Sequence, residues 1–343
     1  MGIPEKLKQP AFLISVLAIS ILSGFALFSP SHSQSTHQPD AAKSVAKLFK
    51  LKPSKKQTTA TKVTAQALLS PNPSQTTTLP VIHKSGTLTA DETWTAGNVY
   101  MVDYKVVVPD GVMLTIDAGT IVKFTGYYGI EVQEGGALNV TGSSSDPAVF
   151  TSYRDDSVGG DSNNDGASNG ATQDYTYAVS GYKASINVAG AIFKDATYSL
   201  SVACDSNTTS TVSVTDSLLQ STFAVSSCGQ GLVSLERNEL AAAIGYAINA
   251  YDTDMSGIIL TGSNENLATG IDQGRAISAY YSRVSSGATW RVSSSSHAVL
   301  VVGSLTVNGT LTLDPGVIVK SGGNVILSVA SGGTLNANGT SAN

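Results

Sequence analysis

The chain has 343 residues, only 13% of them charged, with 33 Gly and a formal net charge of −5. That net value hides a split: residues 1–62 hold nine Lys against Glu5 and Asp40, a net of +7, whereas residues 63–343 hold eleven Lys and Arg against twenty-three Asp and Glu, a net of −12. An acidic body without clustered Lys and Arg excludes nucleic acid as a partner, and a chain rich in Gly, Ser, Thr, Asn and Val is poorly suited to long helices.

Lys6 and Lys8 precede an uncharged apolar run from Ala11 to Phe28, followed at once by Ser29, Pro30 and Ser31. This is the charged, hydrophobic, small-residue order of a secretory signal. Residues 1–33 are therefore expected to export the chain, either cut ahead of Gln34 or retained as an anchor, since about eighteen apolar residues just span a bilayer. Both outcomes leave the remainder secreted or at the cell surface.

Residues 34–78 are Ser, Thr, Gln, Pro and Lys with few large apolar side chains, and are expected to form a disordered tether. Within it Val45, Leu48, Phe49 and Leu51 alternate with Lys43, Lys47, Lys50 and Lys52. Such a stretch either touches an anionic membrane surface or stays a solvated linker.

From Leu79 onward the pattern is repetitive. Asp117-Ala-Gly-Thr-Ile-Val-Lys123 recurs as Asp314-Pro-Gly-Val-Ile-Val-Lys320, and Gly135-Gly-Ala-Leu-Asn139 as Gly332-Gly-Thr-Leu-Asn336. Thr93-Trp94 and Thr289-Trp290 precede the two copies at similar distances, so residues 79–286 form one module and 287–343 begin a second, which stops near the point corresponding to Asp146. Within each copy apolar residues alternate (Val112, Leu114, Ile116; Ile130, Val132; Leu138, Val140) between Gly pairs and Asp-Gly turns, the pattern of short strands.

A shorter period follows. Ile192–Ala196, Ser213–Ser217 and Ser234–Asn238 are spaced by 21 residues, and Ile259–Ser263 follows 25 later. A coil of three short strands and three turns has this length, and stacked coils bury each other's Val, Ile, Leu and Phe. The fold class expected is all-β, a right-handed parallel β-helix (β-solenoid). An antiparallel sandwich would also show short alternating strands, but it has no need of a constant coil length.

Val106 to Phe124, the Gly-Gly-Ala-Leu-Asn turn, and Pro147–Asp156 with Gly159-Gly-Asp-Ser-Asn-Asn-Asp-Gly166 resemble exported bacterial proteins with right-handed parallel β-helix repeats. The resemblance spans most of 86–343 and implies the fold, because that family shares no single activity. The chain departs from the family's pattern after the acidic loop, where Tyr175-Thr-Tyr-Ala-Val179 stands in place of a Trp-x-Gly-Ile segment.

Five residue groups carry candidate chemistry. Asp161, Asn163, Asp165 and Gly166 provide the alternating oxygens and tight turn of a Ca²⁺ loop, with Asp155, Asp156 or Asp174 completing the set because the twelfth position is Thr172 and not Glu. The bland reading is a solvated acidic loop. If the 21-residue period holds throughout, Asp195, Asp216 and Arg237 form a column, which is either a weak catalytic candidate of the paired-carboxylate kind or a self-neutralising ladder. Cys204 and Cys228, one coil apart, are expected to pair in an exported protein, the alternative being two free thiols.

Tyr127, Tyr128, Tyr175, Tyr177, Tyr182, Tyr246, Tyr251, Tyr280 and Tyr281 either stack on sugar rings or fill the core and turns. His32, His37 and His83 lie in or at the end of the tether, which leaves His297 alone and no nucleophilic triad or zinc spacing. The expected function is a non-enzymatic module for adhesion or polysaccharide contact. The alternative is a polysaccharide lyase or glycoside hydrolase acting in a groove of the helix.

Overall fold

The computed structural model describes residues 79–205, 211–269, 276–294, 299–321 and 326–339, all within one compact unit that spans Lys62–Asn343. The expected signal, the tether and His297 lie outside the described residues. Among the described residues no helix is long and apolar enough to cross a membrane.

The chain winds as a right-handed parallel β-helix of about ten turns, and every strand pairing among the described residues is parallel. Each turn visits three faces. Face I carries Glu92–Trp94, Met113–Asp117, Ala137–Thr141, Ser185–Ala189, Val212–Thr215 and Val233–Glu236. Face II carries Ile121–Phe124, Ala148–Ser152, Ala191–Phe193, Leu218–Leu219, Glu239–Leu240 and Leu267–Ala268. Face III runs from Ile130–Val132 through Tyr175–Tyr182, Ala196–Ala203, Thr222–Ser226, Ile248–Tyr251 and Ala276–Tyr280 to Ile318–Ser321. Faces II and III are joined by the long strand Val99–Val108, whose first half pairs with Ile121–Phe124 and second half with Ile130–Val132.

The alternation seen in the sequence is the alternation of core and surface, because successive strand side chains point to opposite sides. Leu114, Leu138, Ile186, Val212 and Val233 stack in one buried column along face I. Phe124, Phe150 and Phe193 form an aromatic column on face II, with Phe150 and Phe193 rings 4.5 Å apart. Stacking continues across the expected 286/287 boundary, where Ala276–Tyr280 pairs with Val299–Val302, and Trp94 and Trp290 are both buried.

Corners are sharp because single residues take left-handed backbone. Between faces I and II the column is Gly190, Asp216, Arg237, with φ of 59°, 52° and 56°. Only glycine fits at position 190, where a Cβ would come within 2.3 Å of the Gly142 carbonyl carbon. Behind this corner runs a buried polar ladder. The Asn238 side chain accepts from the Ser217 amide and donates to the Val214 carbonyl and the Asn266 side chain, while Asn266 donates to the Leu235 and Ile259 carbonyls. These side chains supply an acceptor to the Ser217 amide and add donors to carbonyls along the corner, two of which, Leu235 and Ile259, also accept a backbone amide.

Candidate functional site

Coil length is not constant, and the exception creates the site. Leu138 stacks beneath Ile186, 48 residues later, where neighbouring coils use 21 to 26. The excess is the acidic loop between Ala148–Ser152 and Tyr175–Tyr182. This loop folds back across the outside of face II. A Cβ on Gly159 would lie 2.7 Å from Val99 Cγ2 and 3.3 Å from Ile121 Cδ1, so the glycine backbone rests directly on outward apolar side chains.

Lys123 lies under the loop. In Ile121–Phe124 the core takes Val122 and Phe124, which leaves Ile121 and Lys123 pointing outward, yet both are buried. The Lys123 ammonium donates to the Gly160 carbonyl at 3.0 Å and to Ser162 Oγ at 2.8 Å. Burial pulls its pKa below the ordinary lysine value, against the opposing pull of Asp155, Asp156 and Asp161.

The six expected metal ligands divide. Asp156, Asp161 and Asp165 each bring a carboxylate oxygen within 4.8 Å of the other two, and Asn163 joins them by donating its amide to Asp165 at 2.8 Å. Asp155 and Asp174 are engaged elsewhere. Asp155 is held by the Lys194 ammonium at 2.7 Å and by the Ser157 amide and hydroxyl. Asp174 accepts from Ser152 Oγ and the Ala171 amide and lies 3.5 Å from Arg154.

The column Asp195, Asp216, Arg237 does not form as the 21-residue period required. Asp216 and Arg237 do sit one above the other, with two parallel bonds of 2.8 and 2.7 Å from guanidinium to carboxylate. That pairing holds the Asp216 pKa below and the Arg237 pKa above their ordinary values. Asp195 belongs to a different corner, between faces II and III, because Ile192 pairs with Leu218, 26 residues on, and the position above Asp216 is Gly190. The weak catalytic candidates are thus an ion pair at one corner and a lone acid at another.

Asp195 has acquired other neighbours. Thr151 Oγ1 lies 2.7 Å from Asp155 Oδ2 and 2.8 Å from Asp195 Oδ2. Burial raises the Asp195 pKa, while Lys194 and the Ser157 and Thr151 donors outweigh burial at Asp155 and lower its pKa. The sequence offered no role for Thr151, took Lys123 only as part of a strand, and gave no reason to prefer Lys194 over the other cations. The one available signal was a lysine inside the apolar run Ile121–Phe124.

Cys204 and Cys228 are joined, with Cα atoms 4.7 Å apart, and both are buried. The tyrosines fall into three settings. Tyr175 is core, its ring 4.7 Å from Phe124. Tyr104, Tyr127, Tyr128, Tyr177 and Tyr198 form a run of edge and stacked contacts with centroids 4.7 to 5.8 Å apart. Tyr251, Tyr280 and Tyr281 form another at the corner between faces III and I, in the same column as exposed Tyr182.

Residues 86–163 match the model of a family described as a pectate-lyase-like β-helix domain, a stretch that covers the first coils and half of the acidic loop. No curated protein and no solved structure matches the chain.

Proposed function

We propose that this β-helix is an exported surface module that contacts polysaccharide through the outward side of face III, without cleaving it. The observation that carries the reading is the pair of tyrosine runs bordering a row of small and polar residues: Ser180, Ser201, Ala224, Asn249 and Ser278, stacked in register. Tyrosine offers a rigid apolar ring with a polar tip, which suits the mixed surface of a sugar.

Stacking consumes some of these faces. Tyr177 and Tyr198 lie parallel with centroids 5.2 Å apart, as do Tyr251 and Tyr280 at 5.9 Å, so they shield each other. The rings best placed to receive a pyranose are the most exposed ones, Tyr104, Tyr127, Tyr182 and Tyr281, all more than half exposed. Tyr127 and Tyr281 make only edge contacts with their neighbours, and the Lys183 ammonium lies 5.4 Å from the Tyr182 ring centre, leaving that ring's opposite side for a sugar. The cations beside this face are already paired, Lys105 with Glu131 and Lys183 with Asp205. Residues 63–343 carry a net charge of −12. A neutral glycan therefore fits better than a uronate chain, which the body would repel.

The lyase or hydrolase reading is supported by the family match, but its proposed acid pair is dissolved, since Asp195 and Asp216 occupy different corners. Affinity electrophoresis of the full chain in gels cast with neutral or acidic glycans tests the proposal. Retardation by a neutral glycan, weakened at least tenfold in Tyr182→Ala/Tyr281→Ala, is expected. Binding indifferent to the tyrosines, no retardation by any glycan, or depolymerisation of the glycan would each overturn it.

A further inference from the structure

We propose that the loop carrying Asp156, Asp161 and Asp165 is a binding site for one hard divalent cation of calcium's chemistry, and that the ion fastens the loop across face II. The inference does not depend on the glycan reading. It starts from two oxygen atoms: Asp156 Oδ1 and Asp161 Oδ1 are fully enclosed and have no hydrogen-bond partner. The opposite oxygen of each carboxylate is satisfied by a backbone amide, Ser168 N to Asp156 Oδ2 at 2.7 Å and Gly166 N to Asp161 Oδ2 at 3.1 Å. Each carboxylate is thus held at one oxygen by a backbone amide while its other oxygen is buried without a donor. An enclosed carboxylate oxygen without a donor is costly, and native proteins rarely leave one so.

Protein donors do not remove the deficit. The nearby ammonium of Lys123 gives its bonds to the Gly160 carbonyl and Ser162 Oγ, and the Lys194 ammonium is taken by Asp155. Asp156, Asp161 and Asp165 together carry three negative charges beside the single buried charge of Lys123, an excess that one divalent ion cancels. Size agrees as well. Oxygens bound to one Ca²⁺ at about 2.3–2.6 Å lie within roughly 5 Å of each other, and the three carboxylates meet that limit at 4.8 Å. All available ligands are hard oxygens, and exposed Asp165 leaves room for water to complete the six to eight ligands that Ca²⁺ takes and the more rigid Mg²⁺ shell does not.

Isothermal titration of the chelator-treated full chain with CaCl₂ is the test, followed by thermal melts with and without the ion. Binding of one ion per chain and a rise in melting temperature of several degrees are expected. Asp161→Asn and Asp165→Asn should each weaken binding at least tenfold, whereas Asp174→Asn should leave affinity unchanged, since Asp174 is held by Ser152 and Ala171. The wild-type titration stands independently of any variant's folding. Absence of both heat and thermal shift would overturn the site, and so would affinity that survives Asp161→Asn and Asp165→Asn in variants with wild-type circular dichroism.

Discussion

Asp195 Oδ2 lies 2.8 Å from Thr151 Oγ1, and that hydroxyl also lies 2.7 Å from Asp155 Oδ2. A threonine hydroxyl has one proton to give. The two carboxylates compete for it, and Asp155 also has the Lys194 ammonium, whereas burial pushes the Asp195 pKa upward. The two acids therefore depend on pH in opposite ways. Raised Asp195 contributes stability that is full below its ordinary value near 3.8 and is lost as pH climbs through its folded pKa; lowered Asp155 contributes stability that is present above that value and is lost as pH falls through its folded pKa. Asp195→Asn, which supplies the donor permanently and tolerates the left-handed backbone at φ 66°, should keep or raise stability at pH 7. Asp155→Asn strands Lys194 and should cost about 3 kcal/mol at that pH, shrinking towards pH 3. Urea unfolding between pH 3 and 8 checks this, and equal losses at pH 7 would overturn it.

The corner between faces I and II separates an interaction that matters from one that merely looks strong. Arg237 and Asp216 make a two-bond ion pair, but both side chains are about two-fifths exposed, a setting in which such pairs are worth roughly 0–1 kcal/mol. Arg237→Gly would lose that and regain about as much by relieving a positive φ, so its stability should stay within about 1 kcal/mol of wild type. Buried Asn238 holds the Ser217 amide, the Val214 carbonyl and Asn266. Asn238→Ala leaves the buried Ser217 amide without its acceptor and takes a donor from the Val214 carbonyl and from Asn266, whose side-chain oxygen keeps the residue-238 amide, and should cost about 1–3 kcal/mol. Thermal melts of the two variants side by side decide the ranking.

The Cys204–Cys228 bond links consecutive coils through a closed loop of about 25 residues. Chain entropy assigns roughly 3 kcal/mol to such a loop. Both cysteines are buried in the core, so Cys204→Ala/Cys228→Ala should lower the unfolding free energy by about that amount while leaving the strand content unchanged by circular dichroism. Titrating thiols in denaturant without reductant should find none in the wild type.

The architecture was legible because the rules that produce it are local. Alternation at Leu114 and Ile116 and glycine pairs such as Gly135-Gly136 mark strand and turn without knowledge of their neighbours. Register was not legible, since it depends on the length of every intervening corner. One coil of 26 residues between Ile186 and Val212 was enough to carry Asp195 away from Asp216. The acidic loop was visible as a cluster of Asp. Which acids converge on one another was set by donors far off in sequence: Lys194 draws Asp155 aside, and Ser152 draws Asp174. Ile121 and Lys123 read as core strand residues, and they are buried, but beneath the loop and not inside the helix.

Lys123 consequently links strand and loop, and removing its charge should release the loop while sparing the solenoid. Lys123→Met keeps the apolar stem that lies near Ile121 but deletes the bonds to the Gly160 carbonyl and Ser162 Oγ, leaving a part-buried carbonyl without this donor. It also removes a positive charge that acts on Asp156 and Asp161, so the mutual repulsion of these two carboxylates is less offset. The core columns of Leu114 and Phe150 do not touch this lysine's polar end, so the global melting temperature should fall by only a few degrees. Limited proteolysis should show the difference plainly, with new cleavage between residues 155 and 170 at least tenfold faster than in wild type and the stacked coils on either side left intact. If the nicking rate is unchanged, the loop is held by its apolar rest on Val99 and Ile121 and not by the buried ammonium.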